Sequence, residues 1–156
     1  MIYTARFDVE TAPKIFRWIR ALKKPPSMHG PCWEVSKKMP QDVQSIGSDA
    51  FGDYLKDGLA LGYLMACLNP NSVADLLENP IWEVSDKTTF EKLHQEERIR
   101  LFLQFLTSLD IESSNQFSVS ALKEKLDLEQ VVQCLREVAL MVETQNGYIG
   151  PVEFRN

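Results

Sequence analysis

The chain is poor in the residues from which metal and nucleophilic sites are built. It has two histidines, His29 and His94, and three cysteines, Cys32, Cys67 and Cys134, among 156 residues. His29 lies three residues before Cys32, but two potential ligands do not complete the four-coordinate set of a structural zinc. His94 opens a His-Gln-Glu-Glu run that lacks the second histidine of a metalloprotease helix and reads as a solvated face. The cysteines are odd in number and far apart, which fits free thiols in a reducing compartment rather than a disulfide framework. Cys134 falls in an apolar helical run, where a buried, inert thiol is expected. No serine-centred elbow, P-loop or kinase-type set occurs. The expectation is a protein that is not an enzyme and carries neither metal nor cofactor.

Two further scarcities narrow the class. No run of 18 or more apolar residues exists, so no transmembrane helix is expected. The first residues, MIYTARFDVE, lack the apolar core of a signal peptide, which points to a cytoplasmic location. There is also no excess of positive charge. Seventeen Lys and Arg stand against 22 Asp and Glu, a net charge of −5, which argues against general nucleic-acid binding.

What is present is an ordinary globular composition, 44% hydrophobic and 25% charged, in a length that suits one domain with a sizeable core. Residues 1–10 alternate Tyr3, Ala5, Phe7 and Val9 with polar neighbours, the period of a strand, and suggest an extended arm lying on the domain. TAPKIFRWIRAL then reads as a helix. Thr11 serves as its cap, Pro13 falls in the first turn, and Ile15, Trp18, Ile19 and Leu22 share one apolar face. Residues 25–47 form a long loop rich in proline. It is either a disordered insertion or a clamp pinned by Trp33 and Met39. SDAFGDYLKD is a short helix capped by Ser48. Leu61, Leu64, Met65 and Leu68 mark the next helix, stopped by Asn69-Pro70, and Ser72 caps a turn through Val73 and Leu76.

The longest helix is expected from about Thr89 to Leu109, with Ile99, Phe102, Leu103, Leu106 and Leu109 on a face dense enough to be central and buried on most sides. SVSALKEKL is a short helix. DLEQVVQCLREVALMV is the last helix, capped by Asp127, and residues 143–156 form a turn and an extended tail. The chain is all-α, a compact helical bundle around a central long helix.

The stretch LKDGLALGYLMACLNPNSV is the most specific part of the sequence. With Trp18-Ile19 before it, and ERIRLFLQFLTSLDI, QFSVSALKE and LEQVVQCLREVA after it, the chain resembles a calponin-homology domain. The likeness is to the single-domain type of calponins, transgelins and Rho-family exchange factors of the Vav and PIX groups. It runs from about Thr11 to Val142. The Asp57-Gly58 step then reads as a scaffold joint: Gly58 supplies backbone geometry and close approach, and Asp57 caps the new helix. Relatives often carry Asn where this chain has Arg98 after Glu97, Gly where it has Asp110, and Asp where it has Ala121.

Charge is unevenly spread along the chain. Residues 1–40 hold eight Lys or Arg and three Asp or Glu, and the remainder holds nine against nineteen. Lys14, Arg17, Arg20 and Lys24 fall in one sector of the first helix, and Lys37 and Lys38 follow in the loop. These are either the solvated face of any amphipathic helix or a surface for an acidic partner, such as an actin filament, anionic lipid head groups or an acidic segment. The resemblance implies a protein-interaction module of the actin cytoskeleton, binding actin through the basic first helix. The alternative it implies is an adaptor or autoinhibitory domain of a larger signalling protein, such as a Rho-family guanine nucleotide exchange factor.

Overall fold

The structure, a computed structural model, describes residues 7–41, 43–145, 148 and 153–154. Eight α-helices are present among them: α1 (Thr11–Ala21), α2 (Pro31–Ser36), α3 (Ser48–Leu55), α4 (Leu59–Leu68), α5 (Val73–Glu78), α6 (Thr88–Ser108), α7 (Val119–Lys123) and α8 (Leu128–Glu143). Three single 3₁₀ turns, Pro70–Ser72, Pro80–Trp82 and Ser113–Asn115, join them. No strand occurs among the described residues, and the protein is all-α.

The alternation at Tyr3 and Ala5 lies outside the described residues, as does most of the tail. Phe7–Glu10 form no strand. The Asp8 carboxylate instead bends the chain into α1. It accepts the Thr11 amide at 3.0 Å and the Thr11 hydroxyl at 2.6 Å. Thr11 is therefore the guest of the cap and not the cap itself. Ser48 likewise caps nothing: it is the first residue of α3, behind Gly47. The turn after α4 is capped by the Asn69 side chain, which accepts from the Asn71 amide, and Ser72 makes no capping bond. At α8 the Asp127 carboxylate accepts the Gln130 amide at 3.2 Å.

The most deeply buried helix is α4 and not the long α6. Leu59 to Ala66 are buried without a break, because LALGYLMACL carries no charge on any side and has no face to offer water. On α6 only Arg98, Ile99, Phe102 and Leu106 are buried. Lys92, Glu96, Glu97, Arg100 and Gln104 recur around that helix and keep its other sides at the surface, and near its start Phe90 and Leu93 are exposed. Helices α2 and α6 both pack on α4, and α1 packs on α8. Gly62 permits the close approach: a Cβ there would stand 2.6 Å from the Trp82 ring and 2.9 Å from the Cys32 sulfur. Phe51 joins the layers, with its ring 5.5 Å from both Phe7 and Phe16.

Residues 25–47 are not one irregular loop. Pro31 opens the six-residue helix α2, and Met28, Cys32, Met39 and Ile46 are buried in the common core. The Tyr54 hydroxyl donates to the Val35 carbonyl at 2.6 Å, tying α3 to this segment. At the other end of the chain the Glu143 carboxylate, fully buried, accepts the amides of Glu153 at 2.6 Å and Phe154 at 3.1 Å.

Candidate functional site

The candidate site lies where the end of α1 meets α2. A cavity of about 350 Å³ opens there. Trp33 and Tyr63 form its aromatic wall, their ring centroids 5.9 Å apart, and Leu22 adds an apolar edge. Arg20, Lys24 and Lys37 stand around the mouth, with Ser36 and Gln41 between them. The Lys24 ammonium sits 4.4 Å from the Trp33 ring centroid and that of Lys37 5.3 Å away. Both are attracted by the negative face of the indole, a contact worth about 0.5–1 kcal/mol at an exposed site.

Among the described residues one carboxylate pairs with these three cations. Glu34 accepts from Lys37 at 3.2 Å. Among the described residues Arg20 and Lys24 have no acidic partner within ion-pair distance. Two lysines late in the chain are matched differently: Lys123 meets Glu96 at 2.9 Å, and Lys125 meets Asp53 and Asp49 at 2.9 and 3.4 Å. The positive balance of residues 1–40 thus becomes a local surplus in space, on a protein whose net charge is −5. A separate, wider cavity of about 580 Å³ carries the opposite sign, with Asp110, Glu112 and Glu137 over Leu140 and Met141.

No family model, curated protein or solved structure matches the chain.

Of the six cations singled out in the sequence, the fold brings Arg20, Lys24 and Lys37 together. Lys14 and Lys38 are exposed and do not line the cavity. Arg17 turns toward the tail, its Nε 3.4 Å from a Glu153 carboxylate oxygen. Trp33 had only a pinning role in the sequence, and Tyr63 had none. Their pairing depends on α2 packing on α4, which no local pattern announces. Burial, with the Cys67 thiol beside it, raises the Tyr63 phenol, which stays neutral.

The residues assigned a scaffold role sit in the interior or at the joint. Trp18 and Phe102 are fully buried. Trp18 belongs to α1, whose main neighbour is α8. Gly58 has φ of 81°, in the left-handed region, and a Cβ there would stand 2.6 Å from Arg98 Cβ. The Asp57 carboxylate accepts the Leu59 amide at 2.9 Å. Burial raises this carboxyl above its ordinary range, against the pull of that amide and of Arg98.

Arg98 is the structural centre that the sequence reading missed. It is fully buried, and all five of its N–H groups are used. Nε donates to Ile81 O at 2.5 Å, and the terminal nitrogens donate to Asp57 O and Glu83 O, both at 2.9 Å. The remaining two N–H groups clasp the Glu91 carboxylate at 2.7 and 3.0 Å. One side chain so ties the α3–α4 joint, the turn before α6 and α6 itself. The signal was available: Arg98 lies four residues before the buried Phe102 and seven after Glu91, on one helix face.

The three thiols are free. Burial pushes Cys32 and Cys134 up to about 12 and Cys67 up to about 11, so all three are protonated at neutral pH. His29 is exposed while Cys32 is buried. Among the described residues no group of three His, Cys, Asp or Glu side chains is placed to hold a metal, and no helix is long and apolar enough to cross a membrane.

Proposed function

We propose that this chain is a non-enzymatic, calponin-homology-type interaction module of the cytoplasmic actin cytoskeleton, which meets an acidic protein surface through the α1–α2 corner. The observation that carries the reading is the convergence of Lys24 and Lys37 on Trp33, in a recess that Arg20 also lines, with Glu34 the one carboxylate paired to these cations among the described residues. A solvated helix face would leave its cations dispersed. These three share one recess with an aromatic wall, and Trp, Tyr and Arg are the residue types that anchor protein interfaces. The order of helices from Trp18-Ile19 through the Asp57-Gly58 joint to α8 supports the family part of the reading.

Co-sedimentation with actin filaments tests it. Pelleting at low salt that weakens at physiological ionic strength, where the Debye length is about 8 Å, is the expected result. Failure to pellet at either salt removes direct filament binding. A second reading is favoured by the net charge of −5 and the acidic cavity, which oppose an acidic filament. In it the module is the adaptor or autoinhibitory domain of a larger signalling protein and uses the same corner on an acidic segment. That reading expects the chain to bind an acidic peptide at the corner while leaving filaments in the supernatant.

A further inference from the structure

The α1–α2 corner holds more positive charge than a carboxylate can answer. Distances of 4.4 and 5.3 Å to one ring centroid place the Lys24 and Lys37 ammonium groups within about 10 Å of each other, no more than one Debye length at 0.1 M salt. Arg20 lines the same recess. Among the described residues Glu34 is the one carboxylate paired to these three cations, through Lys37, and Arg20 and Lys24 have no acidic partner there. A glutamate or aspartate from a partner would neutralise one of them. A phosphomonoester carries about −1.5 to −2 at neutral pH and presents three acceptor oxygens, which an arginine fork and lysine point charges recognise together. The recess is larger than a phosphate group, and about 350 Å³ lies at the small end of ligand pockets. Trp33 is half-buried and offers an apolar wall for the carbon stem that carries the phosphate.

We infer that this corner is a site for a phosphorylated serine or threonine on a partner polypeptide. The inference rests on the reading of the corner as the partner-binding surface and names what that surface recognises. A polypeptide is preferred to an anionic membrane on charge. Outside residues 1–40 the chain carries nine Lys or Arg against nineteen Asp or Glu. A bilayer meets that field over a broad area, whereas a peptide meets only the local surplus.

The test is fluorescence anisotropy with three labelled degenerate peptide pools, identical except for phosphoserine, serine or glutamate at the centre, beside sedimentation with phosphoinositide-containing vesicles. The phosphoserine pool should bind at least about 10-fold tighter than the serine pool, the scale of one charge-assisted recognition contact. It should also bind several-fold tighter than the glutamate pool. Lys24→Gln and Lys37→Gln should each weaken it several-fold with the melting temperature unchanged. Lys92→Gln, an exposed charge on α6, should leave it unaltered. Lowering the pH from about 7.5 to about 5 should weaken binding as the phosphate loses its second charge near pH 6. Equal binding of the glutamate and phosphoserine pools would overturn the phosphate inference and leave the acidic-partner reading standing. Binding of vesicles in place of peptides would assign the corner to a membrane. An equal loss in the Lys92 variant, or no binding by any pool, would also overturn the inference; filament pelleting then decides the interaction reading by itself.

Discussion

Replacing Arg98 is the sharpest perturbation of the fold. Its five N–H groups meet three backbone carbonyls and both oxygens of Glu91, with Arg98 itself fully buried and Glu91 15% exposed. Removing one partner of a buried ion pair costs about 3–5 kcal/mol, and each carbonyl left without a donor adds about 1–3 kcal/mol before relaxation. Arg98→Leu should therefore cost about 5 kcal/mol or more, a large part of the roughly 5–15 kcal/mol that holds a domain together. Arg98→Lys is the informative variant, because it keeps the charge and is expected to fold. An ammonium brings three donors to five acceptors and has no planar fork, so about 2–4 kcal/mol should still be lost. For a chain of this size each kcal/mol moves the melting temperature by about 2–4 °C. Circular dichroism during heating, with urea titration beside it, reads both quantities. Exchanging both Arg98 and Glu91 for apolar residues should not restore stability, because the carbonyls of Asp57, Ile81 and Glu83 stay unanswered. A lysine variant within about 0.5 kcal/mol of the parent, the range of ordinary surface substitutions, would refute the clasp.

Gly58→Ala should lose at least about 2 kcal/mol in urea titration, since it combines a left-handed backbone with a collision on Arg98 Cβ. Asp110 closes α6 with φ of 66° while the Ile111 and Asp110 amides return to Leu106 and Thr107, both at 3.0 Å. Asp110→Gly should accordingly raise stability by up to about 1 kcal/mol and Asp110→Val should lower it, both read from melting curves. Burial pulls the Glu91 carboxyl upward, but hydrogen bonds from Arg98 and Ser85 outweigh it and hold the group below its ordinary range. Its contribution is complete above the unfolded value near 4.3 and fades as pH falls through the lower folded value, so Glu91→Gln should flatten the acid limb of a stability–pH curve below about pH 4.

The long helices were legible because their apolar spacing repeats over several turns. Residues 11–22 and 89–109 were expected, and Thr11–Ala21 and Thr88–Ser108 are found. Asp127 was legible as a cap because it directly precedes an apolar run. Thr11, Ser48 and Ser72 failed as caps because the hydrogen bonds are supplied from elsewhere, by Asp8 and Asn69, or not at all. Helix α2 escaped notice because six residues are too few to show a period. The long helix was expected at the centre on the density of its leucines and phenylalanines. The absence of charge in α4 proved the better guide to burial. At the corner the cations Arg20, Lys24 and Lys37 were visible one by one. Tyr63, which stands 39 residues beyond Lys24 in the chain, joins them only through packing. Arg98 was noticed only as a difference from calponin-homology sequences; its spacing to Phe102 and Glu91 marks it as a charge on a core face, but the three backbone carbonyls it meets come from other segments and are set by packing.

The claim that the α1–α2 corner faces an acidic partner is met most directly by mapping where an acidic chain touches the protein. Isotope-labelled protein titrated with an oligoglutamate peptide, followed residue by residue through amide NMR shifts, gives that map. The account predicts the largest shifts at the Trp33 indole N–H and at the amides of Arg20, Lys24 and Lys37. Lys123 and Lys125, already matched by Glu96, Asp49 and Asp53, should stay still. Shifts centred on those paired lysines, or none at Trp33, would contradict it.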